Sequence, residues 1–382
     1  MSVSIAVLAL ALAPDPAGGG EWSAFRGDAA QRGVAEGALA DELELRWRYE
    51  SGGAIVSSPV IAGGKVFVGS DDKHVHAVDL STGEGLWKFE TGDMIEAPPM
   101  VAEGTVFVGS SDFFFYALDA KTGALRWKHE TGDKILGAAA WLPADGGRPD
   151  RVVVGSYDTK LYCLDAQSGE VAWTYRTENF VNGTPAVGGG KIVFGGCDAV
   201  LHVVSTESGE ALAQIEIGRD CHIAGSAALM GKRALFGHYG NAFACVDVES
   251  GERVWSYDGG RHAFFSSPAV TKDRVVFGGR DKKLHCARLA DGKPLWTFAT
   301  RRKVDGSPVV CGDKVVFGSG DGRLYVLRLA DGEPVWSYDL GRSVFSSPAV
   351  AGGVVITASL DGAVYAFGPR DDEDEDTGGG GR

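Results

Sequence analysis

The side chains able to do chemistry fall into three groups. Glu96, Asn182 and Asp305 are oxygen donors of the kind that hold Ca²⁺. They stand in non-adjacent segments, so a metal site is not expected from them. Arg219, Arg261, Arg280, Arg301, Arg302, Lys303 and Arg342 form a cationic group, interleaved with His222, His262 and Phe265. Arginine beside aromatic rings suits an acidic peptide or protein surface. Ordinary solvated loop charge is the plainer reading. Candidate nucleophiles make the third group. Ser57-Ser58, Ser266-Ser267 and Ser346-Ser347 recur as a repeat feature rather than beside a base. The histidines lack metal-ligand spacing, and no phosphate-cradling loop appears. No catalytic residue is therefore expected. Of the six cysteines, Cys163, Cys245 and Cys286 take slots that hold small apolar residues elsewhere, and Cys311 matches Ala62. Only Cys197 and Cys221 fall where a disulfide is open to them.

The elements that position these residues follow from one interval. Trp47, Trp87, Trp127, Trp173, Trp255, Trp296 and Trp336 are separated by 40, 40, 46, 82, 41 and 40 residues. The double gap hides one more copy, with Ala213 in the tryptophan slot. A period near 40 with strand-like content means a β-propeller. In the clearest copy, Ser57–Ile61, Lys65–Val68, Val75–Asp79 and Gly85–Phe89 read as four short strands between Gly, Asp and Ser turns. Counting first strands, which contain Pro59, Pro99, Ala139, Pro185, Ala227, Pro268, Pro308 and Pro348, gives eight blades. The last lacks a fourth strand, and Leu45–Tyr49 at the other end of the chain supplies it. The expected fold is thus all-β, an eight-bladed propeller of four-stranded antiparallel blades, closed by the N-terminal strand. Closure removes exposed strand edges. Small residues at 57, 97, 137, 183, 225, 266, 306 and 346 fit the crowded axis, and the tryptophans fill the wide rim. Ala213 leaves that filler out of blade four.

Alternating strand direction puts the loops between blades on one face with the turns joining second to third strands. The channel mouth lies there. The slot before the small-residue ring holds Val56, Glu96, Leu136, Asn182, Ala224, Phe265, Asp305 and Phe345. The cationic group belongs to the same face, in the later blades. Asp72, Asp112, Asp158, Asp198, Asp281, Asp321 and Asp361 recur in the second-to-third turns and are read as turn ties. The insertion Leu142–Arg151 reads as a surface loop on the opposite face.

The formal net charge of −14 argues against nucleic acid as a partner. Residues 1–20 read as a leader whose apolar run Ile5–Ala13 has the length of a secretory core but no preceding Lys or Arg. Periplasmic or secreted placement is expected, with the cytoplasm as alternative. No transmembrane span is expected, because the run is too short. Residues 21–369 form the propeller, and 370–382 an acidic and glycine-rich tail that cannot bury enough to fold.

The segments Ala77-Val78-Asp79-Leu80-Ser81-Thr82-Gly83-Glu84-Gly85-Leu86-Trp87 and Ala117 to Trp127 resemble the A-x-D-x-x-T-G-x-x-x-W repeat of the pyrroloquinoline-quinone-type propeller family. Arg288 and Arg328 depart from its aspartate. Trp22-Ser23-Ala24-Phe25-Arg26-Gly27-Asp28 resembles the opening of many bacterial members. The resemblance covers residues 22–368. It implies one of two functions. Quinoprotein dehydrogenases bind the quinone and Ca²⁺ at the centre, for which Glu96, Asn182 and Asp305 are the available donors. The BamB-like branch is non-catalytic and binds proteins in envelope assembly. This chain has no adjacent cysteine pair, no haem motif and no long insertions, so the resemblance implies the second: a monomeric protein-binding scaffold without a cofactor. A pyrroloquinoline quinone and calcium enzyme, or a small-ligand sensor at the channel mouth, are the alternatives.

Overall fold

A computed structural model describes residues 20–370. The leader run and the acidic tail lie outside the described residues. Eight sheets of four antiparallel strands follow one another, and no helix occurs among the described residues. Blade one is typical: Val60–Ala62, Lys65–Gly69, His74–Asp79 and Gly85–Glu90. Blade eight combines Ala349–Ala351, Val354–Ala358 and Ala363–Pro369 with Leu43–Glu50 as its outer strand. The expected closure is therefore present, with Leu43 opposite Pro369 and Glu50 opposite Ala363.

First strands are shorter than the sequence suggests. Ser57–Pro59 lies outside the ladder, because its polar groups bond to neighbouring blades instead. Six hydroxyls carry the blades around the axis. Ser58 Oγ accepts from the Ser347 amide, Ser347 Oγ from Ser307, and Ser307 Oγ from Ser267. The chain continues from Ser267 to Ser226, Ser226 to Thr184 and Thr184 to Ala138, at 2.8–3.1 Å throughout. It stops there. Pro98 and Ala138 have no hydroxyl, so the interfaces flanking blade two lack this bond.

At the rim, each indole is more than a filler. Trp47 of blade eight lies on Gly83 of blade one, and its N–H donates to Leu80 O at 2.8 Å. Gly83 has φ 75°, and a side chain there would meet the ring at 2.6 Å. Glycine is thus required both by conformation and by contact. The same lock recurs from Trp87, Trp127, Trp255 and Trp296 to the next blade. Where Ala213 replaces the indole, Gly251 of blade five meets only Ile215 at 3.8 Å. Each outer strand bulges beside its tryptophan slot, as at Leu45/Trp47, which disrupts the exposed edge. The Leu142–Arg151 insertion does more than the sequence suggests. Arg148 donates to Thr206 O at 3.2 Å and Arg151 to Glu207 O at 3.4 Å, tying blade three to blade four where the Trp173 indole N–H has no partner.

Residues 22–35 form a strap beneath the ring, on the face opposite the mouth. Trp22 pairs with Ile61 of blade one, and Ser23 O accepts from Val101 of blade two. Ala29, Ala30, Arg32 and Gly33 then accept from Val187, Leu229, Val270 and Val310 of blades four to seven. Val34–Ala35 adds a parallel strand to blade seven. Between blades two and four the strap turns inward, putting Phe25 against the axial channel and burying Arg26. Arg26 donates to Pro268 O at 2.9 Å and also to Pro308 O. Burial pushes its guanidinium down to about 9 against the pull of Asp28, so it is charged at neutral pH. The sequence offered the Trp22–Asp28 segment only as a resemblance. An arginine and a phenylalanine among small residues were its one signal of a role at the axis.

Candidate interaction surface at the channel mouth

The mouth is built identically in every blade. The second residue of each second-to-third turn donates its amide to the loop carbonyl two residues before the mouth slot. Asp71 bonds Ala54 O, Ser111 Met94 O, Tyr157 Lys134 O and Tyr239 His222 O, and the series continues to Leu360, all at 2.9–3.2 Å. These bonds anchor the backbone beside the mouth slot in every blade, while the loops after Glu216 and Asp258 are longer than their siblings. Most turn aspartates also bond an aromatic residue four positions on, as Asp198 does with His202 at 2.9 Å and Asp112 with Tyr116 at 2.6 Å.

The later blades present a continuous strip. His222 packs on Tyr239 at 5.7 Å and Tyr239 on Phe265 at 4.4 Å. The Arg280 guanidinium lies 3.6 Å from the Phe265 centroid and grips Asp305 with two bonds of 3.2 Å. Lys303 reaches Asp305 at 2.5 Å and covers Phe345 at 4.8 Å. Two members of the cationic group are therefore not free. They hold a carboxylate and two rings in place. Arg219, Arg261, His262, Arg301, Arg302 and Arg342 are exposed on the surrounding loops, and among the described residues their side chains make no ion pair or hydrogen bond. The structure thus assembles His222, Phe265, Arg280 and Lys303 into the strip and leaves the other six around it. Tyr239, 47 % exposed, completes the strip.

Blades one to three carry the opposite charge. Burial, and then the nearby Asp71 charge, raise the Glu96 carboxyl above its ordinary range, with Lys134 opposing. Burial and Asp72 do the same to Asp71, whose Oδ1 is buried without a partner. Lys73 stands 3.9 Å from Asp93.

The axial cavity between these halves is about 170 Å³. Drug-sized ligand sites span roughly 300–1,000 Å³. The cavity is lined by Asn182, Asp305, Phe265 and Phe345 above, the hydroxyl ring along its wall and Phe25 below. Glu96 is not part of its lining. The residues present do not fit calcium beside a quinone: both Asp305 oxygens are taken by Arg280 and Lys303, and Glu96 stands apart. Among the described residues no group of three or more His, Cys, Asp or Glu could hold a metal. Cys197 and Cys221 are both free, so the disulfide left open by the sequence is not made. The Cys221 thiol instead approaches Arg219 O at 3.5 Å.

Comparison with known proteins matches residues 15–145, 139–257 and 280–374 to the family described as outer membrane protein assembly factor BamB. No curated protein sequence matches the chain significantly. Among solved structures, BamB from Moraxella catarrhalis is 20 % identical with a TM-score of 0.72, over 86 % of this chain and 98 % of that one. A europium-containing methanol dehydrogenase is 13 % identical at 0.78, over 92 % and 98 %. The quinohemoprotein alcohol dehydrogenase from Comamonas testosteroni is 16 % identical at 0.75, over 92 % and 81 %. At such identities these structures share the fold alone.

Proposed function

The chain belongs to the family of the outer membrane protein assembly factor BamB, and from that premise we propose that it is a non-enzymatic scaffold of the bacterial envelope. It acts in the periplasm and docks an acidic segment of a partner protein on the basic half of its mouth. The observation that carries this reading is the strip from His222 to Phe345, held rigid by Asp305 and ringed by exposed arginines that make no ion pair among the described residues. Preformed aromatic and arginine groups lose little freedom on binding, and such residues dominate interface energetics. The turn-to-loop bonds add rigidity beneath them. The dehydrogenase reading, by contrast, finds no free donor set at the axis.

The test is crosslinked capture from the native cell with the wild-type chain and with Arg301→Glu combined with Arg302→Glu. Lys303 is spared because it holds Asp305. An enriched envelope protein should fall at least about tenfold in the variant, with thermal unfolding unchanged, and its capture should weaken with salt. Equal capture by both proteins would remove the basic half as the docking surface.

A further inference from the structure

The strap beneath the ring serves as its own template for a second site. In blades one, two, four, five, six and seven, one inner-strand amide donates to a strap carbonyl. The equivalent amide in blade three is that of Trp141, and the strap makes no bond to it. In blade eight the equivalent is Val350, and there Leu39 of the following segment is buried in the same core cluster. Among the described residues blade three has no such cover. The strap leaves Val101 and rejoins at Val187, and beside it a cavity of about 920 Å³ runs beneath blades one and two to the inner strand of blade three. That volume is within the range of ligand sites, roughly 300–1,000 Å³.

Its lining is mixed. Phe67, Met100 and Ala139 are buried apolar residues, half-buried Trp141 stands beside them, and charged residues such as Lys65, Asp119 and Arg126 also line it. Gln31 also lines the cavity. It is 1 % exposed, its amide nitrogen reaches Asp28 O only at 3.5 Å, and its Oε1 has no partner. A buried amide oxygen without a donor is costly, as is an inner-strand N–H left open.

We propose that this cavity receives a short extended peptide segment of another protein. The segment pairs with the inner edge of blade three at Trp141, donates one amide to Gln31 Oε1, and lays an apolar side chain against Met100 and Phe67. Continuity with the strap identifies the occupant. Six sibling positions are already filled by main-chain carbonyls of the strap, and the seventh offers the same donor above a pocket that can take a side chain. Main-chain pairing supplies affinity and the pocket supplies selectivity. The site lies on the face opposite the basic strip, so it is independent of the docking proposed there.

The probe is a fluorescein-labelled hexapeptide of alternating valine and threonine with one phenylalanine, titrated by anisotropy against the full chain. Its partner is the same peptide N-methylated at alternate nitrogens. Saturable binding is expected, weakened about tenfold or more by N-methylation, which removes one or two backbone hydrogen bonds. Ala24→Trp, which fills the cavity from its half-buried rim, should weaken it similarly without lowering the melting temperature. Arg301→Glu with Arg302→Glu should leave it unchanged. A benzoylphenylalanine version should crosslink at Met100 or Trp141, a readout that does not depend on any variant folding. Absence of saturable binding, equal binding of the N-methylated peptide, or crosslinks confined to the mouth would each overturn the proposal.

Discussion

Blades one to three and blades four to eight are made from the same repeat, yet they are held together differently. From blade three round to blade one, each interface carries the amide-to-hydroxyl bond of the ring, while the two interfaces flanking blade two lack it, the one with blade one keeping only the bond that Ser57 Oγ donates to Ala97 O at 2.9 Å. The strap bonds blades four to seven in succession but skips blade three. The lightly tied sector is also the one with the large lower cavity and the buried carboxylates at the mouth. The tightly tied sector carries the aromatic and arginine strip. Repetition therefore fixes the ring, and departures at single slots divide it into a firm half and a half with room in it.

Three changes would break or sharpen this contrast. The largest effect is expected for Ser267→Ala. It strips the Ser226 amide of its acceptor inside the ring and should cost about 2 kcal/mol in urea unfolding. Pro98→Ser works in the opposite sense. A hydroxyl there could accept from the Ser58 amide and carry the ring across one open interface, with a gain of up to about 1 kcal/mol by the same measurement. No gain would mean that blade two is spaced too far from its neighbour for the bond. The smallest effect concerns the acidic half. Burial makes Asp71 and Glu96 keep their protons to higher pH in the folded chain than in the unfolded one. Ionising them therefore costs stability as pH rises through their folded values, and costs nothing once both are protonated in either state. Asp71→Asn with Glu96→Gln should raise stability at neutral pH by about 0.5 kcal/mol after solvent screening. That gain should vanish below about pH 4. A gain independent of pH would place its origin elsewhere.

The sequence made the ring legible because the tryptophan interval is a packing requirement. An indole must reach the turn glycine of the next blade, and only a fixed repeat length allows it. The N-terminal closing strand was legible for the same reason, since Trp47 keeps the interval. The strap was not. Its pairing uses about one carbonyl per blade, so Trp22–Gly33 shows no alternation, and its register is set by the ring it crosses. The loops of the basic face were placed correctly, but their pairing was hidden. Asp305 looked like a metal donor because the grip of Arg280 comes from a turn 25 positions earlier. The hydroxyl ring hid in plain view, because the repeated serines read only as a repeat feature of the first strands when their partners lie one blade away.

The bond between Glu50 and Ala363 has a consequence for biogenesis. The strand that shuts the circle leaves the ribosome before every other blade strand, and its mate leaves after all of them. Until then Leu43–Glu50 has a bare flank, and contacts of such sequence separation form slowly. A newly made molecule must wait with its ends apart, and a chaperone able to shield that flank would have its one opportunity in this interval.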